Sequence, residues 1–369
     1  MALSGKRLEK DWARLVKRLG SRPALEASAK RCGALSRRRE IRTAEVLLRL
    51  ALAYGPCGMS LRVAAAWASI KGIGKISAVG LMKRLRGCAK WLEELVGQLL
   101  SRRLRQQRCG SGRVIRLYDA TTVSHPGSDR ANWRLHATYD PRAGQLSDVQ
   151  LTSIKNGESL TRARVSAGEI WLGDRGLAYG PGLVHVVRHG ADFIVRLGWK
   201  SLKLRDKDGQ PFDLAGRLAA LEKTPSRQFR AWISVGHGET LPVRLLVRRK
   251  TPEQEAREIK RVREKAAHRG RARRGGQPDP RSLLAARYIV LATSLQARPR
   301  EVFALYRLRW QIELAFKRLK SLLHFDQLPA KQPDLARTWL LAHLIAALII
   351  DDHTAEVLDI PPSELRLAA

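Results

Sequence analysis

Acidic residues, cysteines and long apolar runs are all scarce in this chain of 369 residues. Asp and Glu total 34 against 69 Lys and Arg, a net charge of +35. An imbalance of that size calls for a polyanionic partner. Nucleic acid leads, because each Lys or Arg that neutralises a phosphate releases a counterion and so contributes affinity. A ribosome-associated or merely solvated basic protein is the alternative. A hydrophobic content of 44% argues against a disordered basic tail, since that much apolar material can build a core.

The four cysteines, Cys32, Cys57, Cys88 and Cys109, form no C-x-x-C pair, and no histidine is spaced to complete a zinc site. They read as reduced and structural, which suits a cytoplasmic protein. The start, MALSGKRLEKDWARLVKRLG, has no apolar core of the kind a signal peptide needs. The longest apolar run, Trp339 to Ile350, has 12 residues including a histidine. A bilayer span needs about 20, so a buried helix and no membrane partner are expected.

What is present changes in texture along the chain. Up to Gln107 the pattern is helical, through AEVLLRLALAY, SLRVAAAWASI and SAVGLMKRLRGCAKWLEELVGQLLSRRL, with breaks at GPCG and KGIGK. Helix, glycine-containing turn and basic helix over Ser60 to Arg86 permit a helix-turn-helix, although an ordinary bundle fits as well. From Gly110 the pattern turns to strands. RVIRLYDATTV, WRLHATYD and LSDVQLTSI read as three neighbours with PRAG turning between the last two. A short helix near GESLTRARV, a strand EIWLGD, a helix near GPGLVHVVRHG and a strand ADFIVRL follow, the alternation of a mixed α/β sheet. RQFRAWISVG, LPVRLLVRR and ARYIVLATSL continue as strands, interrupted by a charged helix that passes into a Gly/Arg-rich loop. The boundaries expected are 1–107, 110–197, 198–297 as a β-rich insertion, and 298–369.

The stretch YRLRWQIELAFKRLK sits in what reads as one long helix from Arg300 to Leu323. At ~100° per residue, Tyr306, Arg309, Glu313 and Lys320 share one stripe, beside an apolar face of Leu305, Leu308, Ile312, Ala315, Phe316 and Leu319. A glutamate among cations has an ordinary explanation, pairing with Arg309 and Lys317 at i±4 for ~0.3–0.5 kcal/mol. Two other carboxylates weaken it. Asp119 ends the buried run RVIRLYD, where aspartate is disfavoured, and Asp174 ends EIWLGD, where it could equally cap the following turn. Two strand-borne aspartates and a helix-borne glutamate are hard oxygen ligands from three directions, suited to Mg²⁺ or Mn²⁺. Two such ions about 3.5–4 Å apart support in-line phosphoryl transfer.

Tyr306, Arg309, Glu313 and Lys320 match Y-x2-R-x3-E-x6-K and so resemble the signature of transposases in the insertion sequence four family, within the DDE superfamily. A first Asp in YDATTVS, a second in LGDRG and a β-rich segment before the Glu add to the resemblance, which covers roughly Arg113 to Ile350. It implies a ribonuclease H-like catalytic fold after an all-α DNA-binding domain. It also implies that Asp119, Asp174 and Glu313 are the catalytic triad and hold two Mg²⁺, with Mn²⁺ able to substitute. Water and then a 3′-hydroxyl would be the nucleophiles. Tyr306, Arg309, Lys317 and Lys320 would hold phosphates of double-stranded DNA at transposon ends and target, with a homodimer on paired ends in a bacterial cytoplasm. Trp310 matches a tryptophan common beside the family's Arg. Some relatives carry a base-stacking tryptophan where this chain has Tyr288; a tyrosine can stack, but the residue reads better as a core strand aromatic and is assigned no role.

Other polar residues read as structural. Asp351, Asp352 and His353 are expected at a solvated helix end, Asp140 and Asp148 in the PRAG turn, and His125 and His136 outside the chemistry. The Arg248 to Arg274 stretch reads either as a DNA contact or as a solvated basic segment. A non-catalytic DNA-binding protein and a nuclease without strand transfer remain as rival functions.

Overall fold

The computed structural model describes residues 5–36, 40–107, 112–221, 226–236, 238–272 and 276–358. The chain opens with six helices, α1 (Gly5–Leu19), α2 (Arg22–Arg31), α3 (Ala44–Tyr54), α4 (Leu61–Ile70), α5 (Ala78–Arg86) and α6 (Ala89–Gln107). Strands β1 (Ile115–Val123), β2 (Trp133–Asp140), β3 (Gln145–Ser153) and β4 (Ile170–Gly173) follow, then α7 (Gly180–Arg188), β5 (Asp192–Arg196), β6 (Leu204–Arg205) and α8 (Leu214–Ala219). Next come β7 (Ser226–Gly236), β8 (Glu239–Arg249), α9 (Pro252–Ala272), α10 (Pro280–Ala286) and β9 (Tyr288–Thr293). The chain closes with α11 (Pro299–Arg307), α12 (Trp310–Leu323) and α13 (Pro333–Leu358). The strands form one mixed sheet in the order β3-β2-β1-β4-β5-β9-β8-β7-β6. Its first five strands follow the ribonuclease H-like order, the α/β class expected from the sequence.

Two compact units divide the chain. One draws on Met1–Ser111, Ala120–Asn156 and Glu313–Ala369, the other on Gly112–Asp119 and Gly157–Ile312. In the first, helix starts are written in the sequence: Ser21, Thr43, Ser60 and Ser77 each accept a hydrogen bond from an amide of the first turn they open. Such caps are worth about 1 kcal/mol each. The β2–β3 hairpin runs antiparallel from Trp133↔Ser153 to Asp140↔Gln145, and Asp140 accepts from the amides of Arg142 and Ala143 in its turn, as expected. Helix α13 packs against α3, α5, α6 and β3. Over Pro333–Thr354 it has the length and apolarity to cross a membrane, yet 67% of that window is buried inside the protein, as in a core helix.

The expectation of a solvated end at Asp351 and Asp352 is corrected here. Helix α13 continues to Leu358. Arg103, only 2% exposed, places its guanidinium 2.7 Å from Asp352 and 3.8 Å from Asp351 and also donates to the carbonyls of Leu146 and Leu348. A buried cation needs such partners, and the two aspartates supply them. His353 is exposed.

In the second unit, β1, β4 and β5 run parallel, with β4 fully buried, so their sequences are near-continuous apolar runs. Strands β9, β8, β7 and β6 extend the sheet antiparallel. Trp171, Phe193, Val195, Leu245 and Val290 lead one core cluster beside α7 and α8. The single helix expected over 300–323 is two. Leu308 and Arg309 donate to the carbonyls of Leu305 and Tyr306 three residues back, the tighter 3₁₀ pattern, so α11 stops at Arg307 and α12 begins at Trp310. Tyr306, Arg309 and Glu313 therefore do not share one continuous helical stripe.

Candidate active site

The register of β1 on β4 places both aspartates. The parallel pairs are Ile115↔Ile170, Arg116↔Trp171 and Leu117↔Leu172. Two residues beyond Leu117, within β1, stands Asp119, and two residues beyond Leu172, just past the end of β4, stands Asp174. Leu117 and Leu172 beneath them are 0% exposed, so the carboxylates stand on an apolar base. On the opposite face, the rings of Tyr118 and Trp171 lie 6.2 Å apart in the core.

Asp174 also caps the short 3₁₀ turn Arg175–Leu177: its Oδ1 accepts from the Gly176 amide at 2.7 Å. Both readings of this residue are thus compatible, since the cap uses one oxygen and leaves Oδ2 to face other partners. The turn tolerates little bulk. A Cβ on Gly173 would stand 2.5 Å from Leu177 Cδ1, and one on Gly176 would stand 3.1 Å from Asp174 Oδ1 and 3.5 Å from Glu158 Oε2. Glu158 is thus a further carboxylate beside the Asp174 turn. Sequence reading passed over it, because GESL carries no signal beyond a polar loop.

Arg309, in the break between α11 and α12, brings its guanidinium to 3.9 Å from Asp119 Oδ2. Both side chains are under one-fifth exposed. The same guanidinium lies 5.9 Å from the Tyr306 ring. Burial pushes the Tyr306 phenol above its ordinary pKa; Arg309 and Arg196 oppose that shift and Asp174 adds to it. Tyr306, Arg309, Asp119 and Asp174 therefore share one electrostatic neighbourhood of the second unit. Asp119 and Asp174 are hard oxygen donors of the kind a divalent cation takes, while Arg309 beside Asp119 is itself a positive charge facing that carboxylate.

A second charged knot lies behind it. Glu258 of α9 is 3.6 Å from Arg196, and Lys250, 8% exposed, donates to the Ala286 carbonyl. Burial lowers the Lys250 pKa to about 8, against the pull of Glu258. The charged helix expected after Arg248 is α9. Arg248 itself stacks 4.3 Å over Phe303, while residues 273–275 of that basic stretch lie outside the described residues.

In the first unit, Glu313, Lys317 and Lys320 line one open groove of about 680 Å³ along α12, with Ser321 and His324. Glu313 and Lys317 are exposed and Lys320 is half-buried. The spacing i, i+4, i+7 keeps them on one face. His324 closes the helix in the left-handed conformation, φ 52°. Trp310 is 53% exposed.

Tyr288 is 3% exposed, within the core cluster. His125 pairs with the Ala330 carbonyl and His136 with Thr152. Asp148, expected as a turn residue, instead lies within β3 opposite Thr138, because the turn closes earlier at Asp140↔Gln145, and its Oδ1 accepts from the Val149 amide. Cys32, Cys57 and Cys88 are free thiols, and Cys109 lies outside the described residues. Among the described residues, no three His, Cys, Asp or Glu side chains are gathered as a ready-made ion site.

Residues 110–349 match the family described as "Transposase DDE domain". The transposase for insertion sequence element IS421 from Escherichia coli is 41% identical over 363 residues, covering 95% of this chain and 96% of that protein. The InsL protein of insertion sequence element IS186A from Escherichia coli K12 is 41% identical over 362 residues, with the same coverage. A solved piggyBac transposase synaptic complex with hairpin DNA superposes with a TM-score of 0.44 and 9% identity, over 85% of this chain and 65% of that one. By a family match over most of its length and near-complete alignment with insertion-sequence relatives, the chain belongs to the DDE transposase family.

Proposed function

We propose that this protein binds the terminal inverted repeats of its own insertion element, cleaves the DNA there and joins the freed ends to a target. The observation that carries the reading is that Asp119 and Asp174 each follow the registered parallel pair Leu117↔Leu172 by two residues, with Arg309 at 3.9 Å from the first. Asp119, Asp174 and Glu313 would hold two Mg²⁺ ions, for which Mn²⁺ could substitute. Such ions, when bound, activate the attacking oxygen and stabilise the leaving oxygen of an in-line displacement.

The chain's own residues do the rest. Arg309 and Tyr306 would hold a backbone phosphate beside the carboxylates, and Lys317 and Lys320 would hold phosphates along α12. The buried strands under Asp119 and Asp174 keep the carboxylates in place without reorganisation. Water would attack first, and the 3′-hydroxyl so released would attack the second strand or the target. Residues 1–107 would bind end DNA, while 110–197 and 298–369 would form the catalytic part around the insertion 198–297. A homodimer would pair two ends, on the nucleoid in the cytoplasm.

The test is Mg²⁺-dependent cleavage of duplex DNA carrying the sequence that flanks this reading frame, comparing the wild type with Glu313→Gln. Cleavage at the element's ends by the wild type alone supports the reading. Binding without cleavage by both proteins replaces it with a DNA-binding role that has lost its chemistry, and cleavage by Glu313→Gln removes Glu313 from the triad.

A further inference from the structure

The helical hairpin α4–α5 combines two surface properties that ordinarily exclude each other. No Asp or Glu occurs between Glu45 and Glu93, whereas Arg62, Lys71, Lys75, Lys83, Arg84 and Arg86 all fall in or beside the hairpin. Large apolar side chains stand exposed on this same stretch: Val63 is 53% exposed, Ile70 83% and Val79 59%. A basic face needs no apolar residues to stay solvated, and an apolar docking face for protein is depleted of lysine.

Helix α5 resolves the combination into a geometry. Leu81 and Leu85 are 0% exposed and fix its inner face. The Thr338 hydroxyl donates to the Leu85 carbonyl at 2.7 Å, tying α5 to α13, and Ser77 caps its start by accepting from the Gly80 amide. The outer face is then the i, i+4, i+7 stripe Val79, Lys83 and Arg86, all exposed. Arg86 lies 3.9 Å from Asp334 at the stripe's far end, and Lys83 with the exposed linker residues Lys71 and Lys75 adds further positive charge to this side. Ala78 and Gly80 flank Val79 with almost no side-chain bulk.

We infer that α5 enters the major groove of the element's end DNA, with Val79 packing on a thymine 5-methyl group while Lys75 and Lys83 hold flanking phosphates. The major groove, about 12 Å wide, admits one α-helix, and the first turn of such a helix meets base edges. A thymine methyl is the one apolar group the groove offers, which accounts for an exposed valine among cations. This inference rests on the end-binding reading above and adds the element and the side chain that read sequence.

The test uses the full-length protein and two duplexes, one carrying the DNA that flanks this reading frame and one a scrambled sequence of equal composition. Val79→Ala lowers the preference for the first over the second by roughly fourfold, the worth of one buried methyl-sized contact, and leaves affinity for the scrambled duplex unchanged. Lys83→Gln weakens binding to both alike and reduces the slope of log K against log salt by ~0.9. Replacing single thymines with uracil costs the wild type a similar factor at one or two positions, and costs Val79→Ala nothing further there. Full preference retained by Val79→Ala, or a uracil effect that survives in Val79→Ala unchanged, overturns the inference and leaves end binding standing. If the wild type itself fails to distinguish the duplexes, end binding falls and the inference with it. Val79 is exposed, so its truncation leaves the core intact.

Discussion

Asp119 and Asp174 each lie two residues beyond Leu117↔Leu172, the last registered pair of the adjacent parallel strands β1 and β4. On the proposed reading the two carboxylates act as a unit rather than singly. Asp119→Asn or Asp174→Asn is expected to lower end cleavage by more than about a hundredfold, beyond the loss typical of an outer metal partner. The double substitution should cost little more than either alone. Single-turnover cleavage rates check this, and additive losses would show that the two residues act independently.

Arg309 faces Asp119 at 3.9 Å from the break between α11 and α12. On the proposed reading its removal takes away a phosphate partner, and it alters the charge beside the carboxylate. Arg309→Ala is expected to slow cleavage about tenfold or more and to reduce the salt slope of DNA binding by ~0.9. Arg309→Lys should recover the slope but only part of the rate, because an ammonium lacks the planar fork of a guanidinium. Filter binding across a salt series, beside cleavage rates, separates the two effects.

Gly173 has no space for a side chain: a Cβ would stand 2.5 Å from Leu177 Cδ1 and 3.0 Å from Leu177 Cβ. Overpacking of this kind costs about 1–3 kcal/mol. Gly173→Ala should lower the denaturation midpoint accordingly and displace the turn that Asp174 caps, so cleavage falls as well. Leu177→Ala combined with it should recover some of the stability lost to the clash, a coupling measurable in a double-mutant cycle.

Arg103 is 2% exposed and joins α6 to Asp351, Asp352 and the Leu348 carbonyl of α13. Removing one member of a buried, hydrogen-bonded ion pair leaves the others desolvated without compensation. Arg103→Ala should therefore destabilise the protein by roughly 3 kcal/mol in urea titrations. It follows that trimming the chain near residue 107 removes a core partner of α13, and DNA reading by the N-terminal helices is better tested by point substitution.

His343 is 1% exposed, stacks 3.7 Å from Trp339 and pairs through Nδ1 with the Trp339 carbonyl. Burial lowers its pKa from 6.5 to about 4. The unfolded chain binds this proton at higher pH than the folded one, so the contribution is complete above pH about 6.5 and is lost as pH falls toward 4. Its size is on the order of 3 kcal/mol. Urea midpoints between pH 7 and pH 4 should fall more steeply for the wild type than for His343→Leu. Equal slopes would assign acid sensitivity to other groups.

Much of the fold was legible in the sequence because its signals are local. RVIRLYD, EIWLGD and ADFIVRL are apolar runs of strand length, and each became a buried strand. The run from Trp339 to Ile350 became the buried middle of α13. The break at Leu308–Arg309 was not legible, because YRLRWQ holds neither glycine nor proline and its i→i−3 bonds leave no compositional trace. Neither was the role of Asp351 and Asp352, whose partner Arg103 lies about 250 residues earlier in the chain.

The sequence by itself determined the types of residue available to a site: two aspartates following apolar runs, a glutamate among cations, and a net charge of +35 suited to a polyanion. Those follow from side-chain chemistry and from apolar patterning, which act over a few residues. Only the tertiary structure decided that β1 lies beside β4, so that Asp119 and Asp174, 55 residues apart in the chain, follow one registered pair, and that Arg309 turns toward the first of them. Parallel register is set by hydrogen bonds between distant segments and by packing on both faces of the sheet, and no local preference encodes it.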